Sequence, residues 1–322
     1  MRHFIASVLI FLLLLMVIYP VFLFIMGSIP AIRFPNLAYN LGSYGHLYSR
    51  LREAHNFNNV DILFLGSSHA YRGFDVRVFQ KYGFLAFNLG SSSQTPIQTQ
   101  VLLGRYLNTL NPKLVVYAVS PGIFNVDGVE SAVDIISNDV NDIRSVGMAL
   151  KINHLKVYNT LIYGSIRELL GLNSNFIQPV RMEGNGYVDT YISGGYVEKS
   201  TESFYSGSEE EQQDTGMVFV KYQLKAFEKI ISGLKNRGIN YILVYAPVAN
   251  YHADINDEFD GIMRQYGQYY NFNKILNLSN DSFYDASHLR QEYAELFSAK
   301  VAELILGEGL MPGINPDDGL FP

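Results

Sequence analysis

From Phe4 to Met26 the chain runs 23 residues without a charge. As a helix rising about 1.5 Å per residue, such a run reaches roughly 34 Å, enough to cross the hydrocarbon of a bilayer. Whatever follows must fold beside a membrane or be cut away from one. A secretory signal usually has an apolar core of only about 7 to 15 residues and then a small-residue cleavage site; Gly27-Ser28-Ile29-Pro30-Ala31 makes a poor one. Residues 1–30 therefore read as a retained single-pass anchor. Arg2 precedes the run while Arg33, Arg50 and Arg52 follow it, so the count of basic residues does not set its orientation. The long remainder is expected outside the cytoplasm, periplasmic or extracellular.

Lys plus Arg number 24 against 30 Asp plus Glu, a net charge of −6, which argues against nucleic acid as a partner. The chain has no cysteine, which excludes disulfides, thiolate catalysis and Cys-based metal centres. His46, His55, His154 and His252 show no ligand spacing and point to no metal. No cofactor is implied. Chemistry must come from Ser, His, Asp, Glu, Tyr or Lys.

After a connector (31–59), short apolar runs alternate with amphipathic stretches, the pattern of a parallel α/β sheet. Buried strands are expected at Val60–Leu65, Phe84–Leu89, Lys113–Val119, Tyr241–Ala246 and Lys274–Leu278, each nearly continuous in apolar or β-branched residues. Val220, Leu224, Phe227, Ile231 and Leu234 stripe one helix, with Gly238 as its stop. Leu289, Tyr293, Phe297, Val301 and Leu304 stripe another. The fold class that results is a three-layer α/β/α domain (60–306) with a central parallel sheet, preceded by one transmembrane helix. Residues 121–215 break the alternation and read as an insertion placed like a lid. Within it Glu209-Glu210-Glu211 reads as a solvated loop or helix start, and the Gly- and Pro-rich tail (307–322) as irregular.

Three segments follow expected strands with small polar residues, and ligands of open parallel sheets bind at the carboxyl ends of strands. In Gly66-Ser67-Ser68 the glycine permits a sharp turn that would expose the Ser68 hydroxyl and leave its N–H free; the alternative is that a serine merely caps the next helix. At Gly90, in Asn88-Leu89-Gly90-Ser91, an N–H could join that of Ser68 in binding an oxyanion. Thr95, Pro96 and Gln98 form a capping box and receive no chemical role. In Asp285-Ala286-Ser287-His288 the carboxylate can accept the imidazole Nδ1–H and leave Nε2 facing the serine; the alternative is a helix cap beside a surface histidine. His69, beside the serine, is open to substrate contact or to a structural role.

These blocks, in this order, resemble the SGNH or GDSL hydrolases over most of Val60 to Leu306. The resemblance implies Ser68 as nucleophile and oxyanion donor, Gly90 as second oxyanion donor, His288 as base and Asp285 as its partner. Members usually carry Gly-x-Asn-Asp after the third strand, whereas this chain reads Val119-Ser120-Pro121-Gly122-Ile123-Phe124-Asn125. Ser120 and Asn125 are the polar residues at hand there. With the N-terminal span, Gly66-Ser67-Ser68 and Ser120-Pro121 are similar to the membrane-anchored branch that includes D-alanine transfer proteins. That likeness implies a serine esterase or O-acyltransferase acting on acylated surface carbohydrate, with a membrane-bound O-acyltransferase as partner. Two rival readings stay open: a non-catalytic glycan-binding or scaffold component of a polysaccharide-modification system, and a flavodoxin-like nucleotide module whose Ser-rich turns cradle phosphate.

Overall fold

A strand covered on both faces must be apolar on both, and that is why the central strands read as unbroken hydrophobic runs. In chain order the strands are β1 (Ile62–Leu65), β2 (Ala86–Asn88), β3 (Leu114–Ala118), β4 (Arg181–Gly184), β5 (Tyr187–Ile192), β6 (Tyr196–Thr201), β7 (Asn240–Tyr245) and β8 (Tyr269–Asn271). Five of them form one parallel sheet in the order β2-β1-β3-β7-β8. Side chains alternate between two cores: Ile62 and Phe64 of β1 join one, Leu63 and Leu65 the other, and β3 and β7 repeat the pattern.

The computed structural model describes residues 1–29, 34–43, 45–207, 219–249, 251 and 253–311. The acidic run Glu209-Glu210-Glu211, His252 and the tail from residue 312 lie outside the described residues. Helices before β4 are α1 (Arg2–Gly27), α2 (Leu47–Glu53), α3 (Ser68–Gly73), α4 (Val76–Lys81), α5 (Pro96–Leu110), α6 (Gly122–Asn125), α7 (Val129–Asn138), α8 (Ile143–Ile152) and α9 (Leu155–Leu169). After β6 come α10 (Lys221–Asn236), α11 (Ala253–Arg264), α12 (Phe272–Leu276) and α13 (Gln291–Gly307). Helices α5, α7, α8 and α10 pack on one face of the sheet and α3, α4, α12 and α13 on the other, which completes three layers.

Helix α1 is long and apolar enough to cross a membrane. Most of its length is exposed, but its last turns pack on α9: Leu23 is buried, the Tyr19 hydroxyl donates to Asn159 Oδ1 at 2.7 Å, and the Tyr163 hydroxyl donates to the Gly27 carbonyl at 3.1 Å.

Two expectations need correction. Lys274–Leu278 is not the last strand; that strand is β8, and most of the run forms α12. Asn271 accepts the Asn273 N–H at 3.0 Å and starts the helix, Lys274 reaches Asp260 at 2.8 Å, and Ile275 faces solvent, so the run lacks the burial a central strand needs. Leu289 precedes its helix instead of opening it, and bridges Phe283 across a turn. Within 121–215, strands β4, β5 and β6 form an antiparallel sheet of their own.

Candidate active site

Residue 66 must be glycine. Its φ is +138°, and a Cβ there would lie 2.8 Å from both the Cβ and the carbonyl oxygen of Ala118. The turn it permits carries the chain from the end of β1 straight into α3, whose first residue is Ser68. As the opening residue of a helix, Ser68 has a backbone N–H with no acceptor inside that helix. Its hydroxyl meets His288 Nε2 at 2.7 Å.

The histidine is held by a seven-residue turn. Phe283 and Leu289 bridge at its base, and the Tyr284 N–H donates to the His288 carbonyl at 3.1 Å. Inside the turn Asp285 Oδ1 accepts the Ser287 and His288 amides at 2.8 and 2.9 Å, and both carboxylate oxygens lie 2.9 Å from His288 Nδ1. Burial works to raise the Asp285 pKa, but the hydrogen bond and charge of His288 and the two amides outweigh it, and the carboxyl is held below its ordinary value. Asp285 is therefore ionised at neutral pH and fixes a proton on Nδ1, which leaves Nε2 to accept the Ser68 proton. The Tyr284 ring stacks flat on the imidazole, 5.5 Å between centroids with 9° between planes.

His69 sits behind this line. Its Nδ1 is 3.3 Å from Ser67 Oγ, and its buried ring lies beside the Ser287 backbone and 5.5 Å from the ring of His288. Burial, with the His288 charge adding, pushes its pKa down to about 3, so it stays neutral. It does not line the cleft in front of Ser68.

That cleft has a volume of about 250 Å³, and its walls include Arg72, Ser92, Ser93, Tyr187, Lys199 and Tyr284. Arg72, one turn after Ser68, makes a bidentate bond to Asp189 of β5 at 2.9 and 2.8 Å, with both side chains buried. This pair clamps the serine helix to the antiparallel sheet. From the same sheet, Lys199 lays its ammonium over the rings of Tyr187 and Tyr284, at 4.1 and 4.4 Å from their centroids, and burial lowers its pKa. Arg50 lies wholly buried behind the site, donating to the carbonyls of Gly45, Gly90 and Gly195 at 2.8 to 2.9 Å.

The expected oxyanion pair is not assembled. The Gly90 N–H donates to Asn88 Oδ1 at 3.0 Å, and Asn88 is locked in turn by its bond to the Ala70 carbonyl at 2.7 Å. An amide already held by a buried acceptor is not free for an oxyanion, so the Gly90 assignment is corrected. Neither residue weighed after β3 replaces it: Ser120 is absent from the cleft lining and Asn125 is exposed at the end of α6. Thr95 begins α5 as a cap, its N–H donating to Gln98 Oε1 at 3.2 Å.

No protein-family model matches the chain, and no curated protein matches it. Among solved structures, a Bacteroides fragilis protein assigned as an acylhydrolase aligns at a TM-score of 0.42 and 12% identity, over 83% of this chain and 99% of its own. A GDSL-like lipase from Bacteroides thetaiotaomicron aligns at 0.38 and 12%, over 82% and 100%. Likeness at this level carries no argument about activity. The fold class rests on the sheet order and layers above, and the chemistry on the geometry of the cleft.

Sequence reasoning missed Arg50, Arg72, Asp189, Tyr187, Lys199 and Tyr284. Arg72 carried a signal, since a helix starting at Ser68 puts residue 72 on the same face. For the residues of β5 and β6 there was none.

Proposed function

We propose that the protein is a serine-dependent ester hydrolase or O-acyltransferase of the SGNH type, tethered to a membrane with its domain outside the cytoplasm and acting on acylated carbohydrate. The observation that carries the reading is the line from Ser68 Oγ through His288 to Asp285, at 2.7 and 2.9 Å. A carboxylate and an imidazole base in line with a hydroxyl, on a strand-to-helix turn beside a cleft, are the parts that acyl transfer requires.

In the first half-reaction Ser68 Oγ attacks the ester carbonyl as His288 Nε2 takes the hydroxyl proton. The Ser68 N–H supports the resulting oxyanion. The intermediate collapses, the C–O bond to the alcohol breaks, and His288 returns its proton to the departing alkoxide. In the second half-reaction water or a sugar hydroxyl attacks acyl-Ser68, again with His288 as base; the bond from the acyl carbon to Ser68 Oγ breaks, His288 returns the proton to Oγ, and the acyl group leaves as acid or new ester. A membrane-bound O-acyltransferase is the kind of partner that would supply the acyl group.

Purified full-length protein in detergent should release p-nitrophenol from p-nitrophenyl acetate and label with a fluorophosphonate. Ser68→Ala should abolish the labelling and reduce kcat/KM by about 10³-fold or more. Equal turnover in both proteins would remove Ser68 from the reaction. The held amide of Gly90 favours one second reading, a carbohydrate-binding component with the same fold and no turnover. In that case the fluorophosphonate labels neither protein.

A further inference from the structure

The apolar run of α1 is longer than the part of it that stands free. From Phe4 to Ile18 it offers about 15 residues, roughly 22 Å, against about 30 Å of bilayer hydrocarbon. The missing length has to come from Tyr19 onward, where α1 already lies along α9. Contacts advance together on the two helices, Tyr19 with Asn159 and then Phe24 and Gly27 with Tyr163, so the N-terminal end of α9 points back along α1 into the bilayer boundary. A domain fastened in this way cannot stand off from the lipid.

The chain at that end is suited to an interface. Leu150, near the end of α8, and Leu155, the first residue of α9, are 63% and 52% exposed. Val146 lies one turn before Leu150 and is also exposed. Lys151 and Lys156 adjoin these leucines. Burial, with the charge of Lys229 adding, lowers the Lys151 pKa. Among the described residues neither Lys151 nor Lys156 forms an ion pair; Lys151 donates only to Gln100 Oε1 at 3.1 Å.

We propose that the α8–α9 corner is a second membrane contact, with Leu150 and Leu155 set among the headgroups and Lys151 and Lys156 facing the phosphates of anionic lipid. Apolar side chains flanked by lysines are the composition that binds the boundary of an anionic bilayer. The contact rests on α1 being a retained anchor and goes beyond it: the domain is held at a fixed height and tilt, where a flexible stalk would leave it free.

The natural chain has no cysteine, so single-cysteine variants give clean labels. Full-length Leu13→Cys, Leu150→Cys, Leu155→Cys and Ile275→Cys, each labelled with bimane, would be reconstituted in phosphatidylcholine vesicles containing about 30% phosphatidylglycerol, and quenching by brominated lipid read. Leu13 lies within the free part of α1, and Ile275 lies on α12 across the sheet. Quenching at 150 and 155 should exceed that at 275 by about twofold or more and should grow with phosphatidylglycerol content. Quenching at 13 with none at 150 or 155 would overturn the contact and leave the anchor standing. No quenching at 13 would overturn the anchor, and the contact with it.

Discussion

The two sides of the cleft are made in different ways. The His288 side is one short turn, closed by its own backbone hydrogen bonds, in which Asp285 and His288 meet because they are three residues apart. The opposite side joins α3 to an antiparallel sheet more than a hundred residues away in the chain, through the buried pair Arg72–Asp189. A local turn can carry chemistry without carrying the stability of the domain. A clamp between distant segments carries stability first, and rate through it.

The largest contrast should come from Asp285→Asn. The amide keeps the shape of the turn but no longer fixes the proton on Nδ1, so kcat should fall by about 10²- to 10⁴-fold. The denaturation midpoint should stay close to that of the natural protein; a large loss of stability would show that the turn supports the fold and would break the contrast. Arg72→Met should do the reverse. It leaves Asp189 charged and buried, which costs about 3 to 5 kcal/mol of stability in urea unfolding. Arg72→Met combined with Asp189→Leu should recover much of that loss, and no recovery would mean the pair is not the clamp.

The smallest effect is one of pH. His46 is fully buried among the residues behind the antiparallel sheet, 5.7 Å from the ring of Tyr191 and beside the Asp189 backbone. Burial, then the charge of Arg50, lowers its pKa to about 4. The folded state thus binds a proton less readily than the unfolded chain. Stability from this group is complete above about pH 6.5 and is lost as pH falls toward 4, by up to about 3 kcal/mol. His46→Gln should flatten that part of the stability profile, and an unchanged slope would assign it to other groups.

The same contrast explains what could be read from sequence. Strands β1, β2, β3 and β7 show in their unbroken apolar runs, because two cores claim alternate residues of each. Ser68, Asp285 and His288 show because the turn chemistry around each is local. The last strand was misplaced because Ile275 and Leu276 look like strand residues until Asn271 is seen to start a helix ahead of them. The wall of the cleft was not legible at all. Tyr187, Asp189 and Lys199 sit in a polar stretch with no buried stripe, and their meaning comes only from what they face. Gly90 misled for a related reason: a glycine after a strand offers its amide, and only the position of Asn88 shows that the amide is already bound.

Arg50 differs from Arg72, another buried cation, in what compensates it. Arg72 depends on the charge of Asp189, whereas Arg50 is met by three glycine carbonyl dipoles and the face of Tyr71, with no carboxylate in hydrogen-bond contact among the described residues. Carbonyl oxygens do not titrate in the range where carboxylates do. Loss of the Asp189 charge, as in Asp189→Asn, would loosen the Arg72 clamp and leave the Arg50 knot tied. The segment leaving the membrane, the exit of the second strand and the neck of the antiparallel sheet would then come apart after the cleft does.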